Sequence, residues 1–183
     1  MAALGERLSL HELLVGSWRT VRGSADVVAS ATAKATRLRP GFAEFVRIAE
    51  ARGVRVAVVS SGLDVLIDPI LRTNGVADVE LHCNRLKSDG DGWEIVFRDE
   101  AECERCGEPC KRTLVDSFKA DGEVTYVGDG YSDVCAALAA SRRFARRRLA
   151  ATLARLGEAY EPFETFGTVA AALGYDAVDP ASA

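Results

Sequence analysis

The stretch VTYVGDGYSDVCAA, residues 124–137, constrains the fold of this chain more than any other. Val124, Tyr126 and Val127 are the apolar residues expected at the end of a short buried strand. Gly128-Asp129-Gly130 then predicts a turn. The small residues after Asp133 predict a helix, so Asp129 and Asp133 are expected at the C-terminal tip of a strand, where open α/β sheets bind ligands. Mg²⁺ is often held there by one or two carboxylates and a substrate phosphate. The alternative is structural, with Asp133 capping the helix and Asp129 filling the turn.

Composition and charge restrict the class of protein and of partner. The 183 residues, of which 48% are hydrophobic and 27% charged, are typical of one ordinary globular domain. The net charge of −4 disfavours nucleic acid as the main partner. No apolar run approaches the ~20 residues that span a bilayer, so we expect no membrane partner. Five cysteines, an odd number, favour a reducing cytoplasm over a disulfide scaffold. None of these features indicates an oligomeric state.

The first 39 residues are predicted to be helical throughout. A helix is expected to start at Ser9-Leu10-His11-Glu12, and a second helix runs from Ser24 to Arg37. Arg39-Pro40-Gly41 ends it, and a third helix begins at Phe42 and ends near Gly53. This segment contains no strand signal.

The run RVAVV, Arg55–Val59, predicts a parallel strand that is buried on both faces. It ends in Ser60-Ser61-Gly62, and a helix is expected from Leu63 to Asn74. A strand tip with hydroxyl groups before a helix N-terminus is a natural anion site, because unpaired backbone N–H groups and the helix dipole face it. The alternative is that Ser61 only caps the helix.

From Val79 onward the sequence pattern changes to alternating apolar and polar residues. VELHCNRL and WEIVF alternate as expected for two strands of a hairpin, with the turn at 88–92. Three cysteines follow, Cys103, Cys106 and Cys110. Together with His82 and Cys83 they offer enough ligands for a zinc ion. Their spacing is not a paired CxxC motif, and a reduced loop without metal is the other interpretation.

Lys111 directly follows the last of these cysteines, at the expected start of a helix over Arg112–Ala120. A lysine there opposes the helix dipole unless an anion compensates it. An ordinary solvated lysine is the alternative.

The C-terminal part predicts a last short strand over Arg143–Arg146 and helices over Arg147–Gly157 and Phe166–Leu173. Five arginines lie close together there: Arg142, Arg143, Arg146, Arg147 and Arg148. We interpret them as a solvated helix face rather than a phosphate or nucleic-acid patch, because the chain is acidic and no aromatic residues are interleaved.

The order of these motifs is informative. A hydrophobic strand ending in serine, a lone lysine and a strand ending GDGYSD resemble the second, third and fourth motifs of the haloacid dehalogenase superfamily of phosphohydrolases. RPGFAEFV, VAVVSSGLD, CGEPCK, VGDGYSDVCAA, FARRRLA and YEPFETF resemble its phosphoserine-phosphatase-like branch. Within that branch they are most similar to the methionine-salvage phosphatases that act on 2-hydroxy-3-keto-5-methylthiopentenyl-1-phosphate. The resemblance covers residues 39–173.

The resemblance implies an α/β fold, a Rossmann-like parallel sheet with a small helical cap, and a role for each motif residue. Ser60 would bind the transferring phosphoryl group, helped by the backbone of Ser61 and Gly62. Lys111 would neutralise phosphate charge and hold the nucleophile, so Ser60 and Lys111 are the expected catalytic residues. Asp129 would ligate Mg²⁺, and Asp133 would bind it directly or through water. These roles suit phosphoryl transfer to and from a small phosphorylated metabolite, where positioning and charge neutralisation supply most of the catalysis.

The family's first motif, a strand followed by DxDGT that supplies the aspartate nucleophile, has no counterpart in this sequence. We therefore expect the central strand of the sheet to be lacking and the chain to be truncated or mis-started. Without the nucleophile, turnover through an aspartyl-phosphate should fall by several orders of magnitude. The alternative function is a catalytically inactive relative that binds phosphometabolites or structural zinc.

The resemblance also divides the chain. Residues 1–39 are expected to form the helical cap region, and residues 40–175 the core, with the cysteine-containing hairpin inserted at about 79–110. Residues 176–183 are expected to be a tail, because they are small and polar.

Overall fold

The computed structural model describes residues 10–18, 20–21, 23–89, 92–98, 102–107 and 109–175. Eight α-helices in these ranges are α1 Leu10–Trp18, α2 Ala25–Ala35, α3 Phe42–Ala51, α4 Asp64–Thr73, α5 Arg112–Phe118, α6 Val134–Ala139, α7 Arg147–Leu156 and α8 Phe166–Ala172. Six strands in the same ranges are β1 Ala57–Leu63, β2 Glu80–Asp89, β3 Gly92–Val96, β4 Thr125–Gly128, β5 Arg142–Ala145 and β6 Glu161–Pro162. No helix in these ranges is both long and apolar enough to cross a bilayer.

The three helices predicted in the N-terminal part are present. Ser24 caps α2 by accepting the backbone N–H of Val27 at 3.4 Å. The helix ends at Ala35, two residues before the predicted end, and the expected start of the first helix at Ser9 lies outside the described residues. Trp18 at the end of α1 is buried with Leu63 and Leu86, so this region packs against the hairpin. The expected tail at 176–183 also lies outside the described residues.

The strands form two separate three-stranded sheets. In the first, β1 pairs with β2 in parallel and β2 pairs with β3 as the predicted antiparallel hairpin. In the second, β4, β5 and β6 are all parallel, with Val127 opposite Phe144 and Phe144 opposite Glu161. Among the described strands, β1 and β4 each have a neighbour on one side only. The strands that lead to Ser60 and to Asp129 therefore do not pair with each other.

The partial exposure of β1 corrects the prediction that this strand is buried on both faces. Val58 and Val59 are half-buried, whereas Leu63 at its end is fully buried. The strand also does not end at the serines, because it continues through Ser60-Ser61-Gly62 to Leu63. The Asn84 amide of β2 holds this extension by donating to the carbonyl of Ser61 at 3.0 Å, and Asn84 is the register partner of Leu63.

The core of the second sheet positions its strand tips. Small and aliphatic residues of α5, α6, α7 and β5 pack together in this core and are almost fully buried: Val115, Ala136, Ala137, Ala145, Leu149 and Leu153. On the other side, Phe144 packs with Phe163 of the β6 connection and Val169 of α8. The predicted last strand over 143–146 is thus followed by another, β6, whose two residues are too short for a periodicity signal.

The arginine cluster corrects a second prediction. Arg142 and Arg143 lie on strand β5, not on a helix, and Arg146 follows the strand. Each pairs with a glutamate from the β6 side of the sheet: Arg142 with Glu161 at 2.5 Å, Arg143 with Glu158 at 3.0 Å and Arg146 with Glu164 at 3.0 Å. Arg147 and Arg148 begin α7 and are exposed, as predicted. The arginines therefore serve mainly in ion pairs within the fold.

Candidate active site

The carboxylate of Asp133 organises the C-terminal tip of β4. A single 3₁₀ turn, Tyr131–Asp133, connects this tip to α6. Asp133 is 5% exposed, and its Oδ2 accepts the backbone N–H groups of Asp129 at 3.0 Å and Gly130 at 2.8 Å. A Cβ atom on Gly128 would lie 2.8 Å from that oxygen, so only glycine fits there. The glycine turn is thus closed by Asp133 rather than by a cap on α6.

The second oxygen of Asp133 binds two side chains from other elements. Oδ1 accepts hydrogen bonds from Lys111 Nζ at 2.6 Å and from the Tyr126 hydroxyl at 2.8 Å. Lys111 and Asp133 are 11% and 7% exposed, so this ion pair is shielded from water. Lys111 immediately precedes α5, and Asp133 supplies the anion that a lysine at a helix start needs. The lysine and the GDGYSD turn, which are distant in sequence, therefore meet.

The protonation states in this cluster follow from its contacts. Burial by itself would raise the pKa of Asp133, but the charge and hydrogen bond of Lys111, with the Gly130 N–H and the Tyr126 hydroxyl, lower it below its ordinary value. Burial raises the pKa of Tyr126 well above its usual range, and the neighbouring Asp133 charge raises it further. At neutral pH Asp133 is thus a carboxylate and Tyr126 a neutral donor.

Asp129 differs from Asp133 in having a carboxylate with no hydrogen bond or ion pair to any part of the chain that the structure describes. Its backbone is fixed, because its N–H binds Asp133 and its carbonyl accepts the N–H of Leu149 at 3.1 Å. The half-buried Asp129 carboxylate, held on a fixed backbone at a strand tip, offers the oxygen ligands that Mg²⁺ prefers. Asp133, whose oxygens accept four hydrogen bonds, is better suited to hold the turn than to ligate metal directly.

Ser60 lies on β1, in the other sheet. Its Oγ accepts the backbone N–H of Gly62 at 3.0 Å, which leaves its hydroxyl hydrogen free to donate to an anion. In the described chain, no hydrogen bond joins Ser60 to Lys111, Asp129 or Asp133. The structure brings together the lysine and the two aspartates as predicted, whereas the convergence of Ser60, Ser61 and Gly62 on the same pocket stays a prediction.

The cysteines form a cluster with a member that the sequence pattern missed. Cys103, Cys106, Cys110 and Cys135 place their sulfur atoms within 4.8 Å of one another. The suggestion that His82 and Cys83 complete this set is wrong, because His82 Nε2 contacts Glu80 at 2.5 Å and Cys83 lies on β2 outside the cluster. A signal for Cys135 was present: it follows Asp133 by two residues, and Cys110 adjoins the lysine that binds Asp133.

Comparison with known proteins identifies the family. A sequence profile of the haloacid dehalogenase-like hydrolases matches residues 3–138. The chain belongs to this family. The match includes the serine, lysine and aspartate motifs and the hairpin with its cysteine loop.

Two similar proteins are named for a particular phosphatase activity within this family. A protein of Exiguobacterium sibiricum named 2-hydroxy-3-keto-5-methylthiopentenyl-1-phosphate phosphatase is 33% identical over 146 residues, which cover 78% of this chain and 62% of that protein. A protein of the same name from Brevibacillus brevis is 32% identical over 164 residues, covering 87% of this chain and 71% of the relative. The chain thus spans about two thirds of the length of these relatives.

Solved structures confirm the α/β fold class. The phosphoserine phosphatase of T. onnurineus superposes with a TM-score of 0.62 at 18% identity, covering 90% of this chain and 72% of that one. A probable phosphoserine phosphatase from Vibrio cholerae gives a TM-score of 0.70 at 19% identity, covering 92% of this chain and 51% of its own. At these identities the likeness concerns the fold alone.

Proposed function

We propose that this site serves the Mg²⁺-dependent hydrolysis of a small-molecule phosphate monoester. The observation that carries the proposal is the buried Lys111–Asp133 pair beside the uncommitted carboxylate of Asp129 at a parallel strand tip. A fixed cation next to a free carboxylate suits a dianionic phosphate and a divalent metal ion at adjacent positions. The names of the relatives favour a compact substrate of the 2-hydroxy-3-keto-5-methylthiopentenyl-1-phosphate type.

Each residue has a role that its contacts support. Asp129 would hold Mg²⁺, which supplies charge neutralisation on the phosphate oxygens when bound. Asp133 fixes the turn and orients Lys111 by accepting its ammonium group. Lys111 retains further N–H donors for a phosphate oxygen, because one of its three reaches Asp133. Ser60 would donate its hydroxyl hydrogen to the same phosphoryl group, with the backbone around Ser61 and Gly62 assisting.

The attacking carboxylate of an aspartyl-phosphate mechanism would come from a DxDGT strand, which this sequence does not contain. The unpaired edges of β1 and β4 support a place for such a strand between them. None of the five cysteines, all of which lie in the described ranges, forms a disulfide, and this supports a cytoplasmic location.

Hydrolysis of an aryl phosphate tests the proposal. We expect the chain alone to show turnover near the uncatalysed level, and a chain extended by an N-terminal DxDGT strand to show Mg²⁺-dependent turnover. The matched control is the same extension with its first aspartate changed to asparagine, which should lose several orders of magnitude. An extended, folded chain that shows no Mg²⁺-dependent turnover would overturn the proposal.

The cysteine cluster favours one part of the alternative function, a zinc-binding module without catalysis. Zinc at the cysteines and magnesium at Asp129 would use different side chains, so the two are compatible. Stoichiometric zinc together with an inactive extended chain would favour the alternative.

A further inference from the structure

The cysteine cluster has the dimensions of a metal site. Zinc bound by four thiolates has Zn–S bonds of about 2.3 Å, which places tetrahedral sulfur atoms about 3.8 Å apart. The four sulfur atoms of Cys103, Cys106, Cys110 and Cys135 lie within 4.8 Å of one another, and none of them is in a disulfide. Movements of about 1 Å or less would complete the tetrahedron.

The backbone of residues 103–107 forms a closed turn. Gly107 adopts φ 71° and donates its N–H to the Cys103 carbonyl at 2.8 Å, which closes the turn that carries the first two sulfurs. This turn holds Cys103 and Cys106 close to Cys110 and Cys135.

Apolar burial does not account for the ordered shape of this loop. Of residues 102–107, only Cys103 is buried, and the others are exposed. The loop contributes no aliphatic or aromatic side chain to a core cluster among the described residues. A cross-link through a metal ion would supply the stabilisation that hydrophobic contacts do not.

We propose that Cys103, Cys106, Cys110 and Cys135 together bind one Zn²⁺ in a tetrahedral thiolate site. The site joins the loop before Lys111 to the helix after Asp133, since Cys110 precedes the lysine directly and Cys135 follows the aspartate by two residues. Zinc therefore holds both sides of the Lys111–Asp133 ion pair in place. The four ligands close the coordination shell, so the ion has a structural role. This proposal does not depend on the phosphatase reaction.

Elemental analysis of protein purified under reducing conditions tests the zinc content directly. We expect one zinc per chain in the wild type and a loss of at least tenfold in Cys106→Ser and in Cys135→Ser. Cys83→Ser is the matched control, because Cys83 is half-buried on β2 outside the cluster, and it should retain full occupancy. Cobalt substitution should give the intense visible absorption of a tetrahedral cobalt–thiolate centre in the wild type and in Cys83→Ser only.

A measurement on the wild type alone covers the case in which a cysteine variant does not fold. Titration with a mercurial thiol reagent should release the zinc in step with the modification of four thiols, whose identity peptide mapping would give. Protein that contains no zinc, that contains iron instead, or whose mass shows disulfides among these four cysteines would overturn the proposal. Failure of phosphate hydrolysis with full zinc occupancy would affect only the proposed function.

Discussion

Removing the charge of Asp133 should lower the free energy of unfolding, because this carboxylate binds four groups at the centre of the site. Asp133→Asn keeps the size of the side chain but replaces one oxygen by an amide that donates instead of accepting. In the folded protein the two oxygens accept from Lys111, Tyr126, Asp129 and Gly130. At least one of these donors would therefore face another donor, and the Lys111 ammonium would lose its counter-ion.

The expected loss of stability follows from the burial of the pair. With 11% and 7% of the two side chains exposed, solvent screens this interaction very little. Removing one partner of such a buried pair costs about 3–5 kcal/mol, because the other charge is left uncompensated. For a chain of this size, 1 kcal/mol corresponds to about 2–4 °C in Tm, so the variant should melt about 6–20 °C lower.

Urea unfolding and thermal melting of matched variants provide the assay. Asp129→Asn is the control, because it lies in the same turn but its side chain makes no hydrogen bond to the described residues, and it should cost under ~1 kcal/mol. The double variant Lys111→Met with Asp133→Asn should recover part of the loss, since it leaves no lone buried charge. A loss below ~1 kcal/mol in Asp133→Asn, as for a surface ion pair, would refute the reasoning.

Three further predictions concern other parts of the fold. Gly128→Ala should lower the free energy of unfolding by about 1–3 kcal/mol, because its Cβ would lie 2.8 Å from Asp133 Oδ2, whereas Gly16→Ala, with no atom within 4 Å, should be neutral or stabilising in the same urea assay. The hydrogen bond from Arg55 lowers the pKa of Glu80 to about 2, so its stabilising effect is complete above pH ~4.5 and is lost as the pH falls toward 2; Glu80→Gln should flatten that part of a stability–pH curve, and an unchanged curve would contradict the assignment. Zinc removal by a strong chelator should lower the Tm of the wild type and of Cys83→Ser but not of Cys135→Ser, which differential scanning calorimetry would show.

The elements with a strong local signal could be predicted from the sequence. The hairpin over β2 and β3 follows from its alternation, and the turn before Asp133 from its two glycines. The meeting of Lys111 with the GDGYSD motif follows from the order of motifs and not from periodicity, and the structure confirms it with a 2.6 Å contact. The division of the N-terminal part into three helices follows from a cap at Ser24 and a break at Pro40-Gly41.

The features that could not be predicted depend on contacts between distant residues. The extension of β1 depends on the side chain of Asn84 in the next strand, which no local pattern of the serines indicates. The arginines of β5 form ion pairs because Glu158, Glu161 and Glu164 return beside them after α7. Cys135 joins the cysteine loop only because α5 and α6 pack on the same core.

Binding of Mg²⁺ to the chain, followed by ¹⁵N NMR, tests the central claim most directly. The account predicts that Mg²⁺ shifts the amide signals of residues 128–133, that Asp129→Asn abolishes these shifts, and that Asp121→Asn, at a carboxylate 78% exposed on the surface, leaves them intact. Shifts that are centred elsewhere in the chain, or that persist in Asp129→Asn, would contradict it.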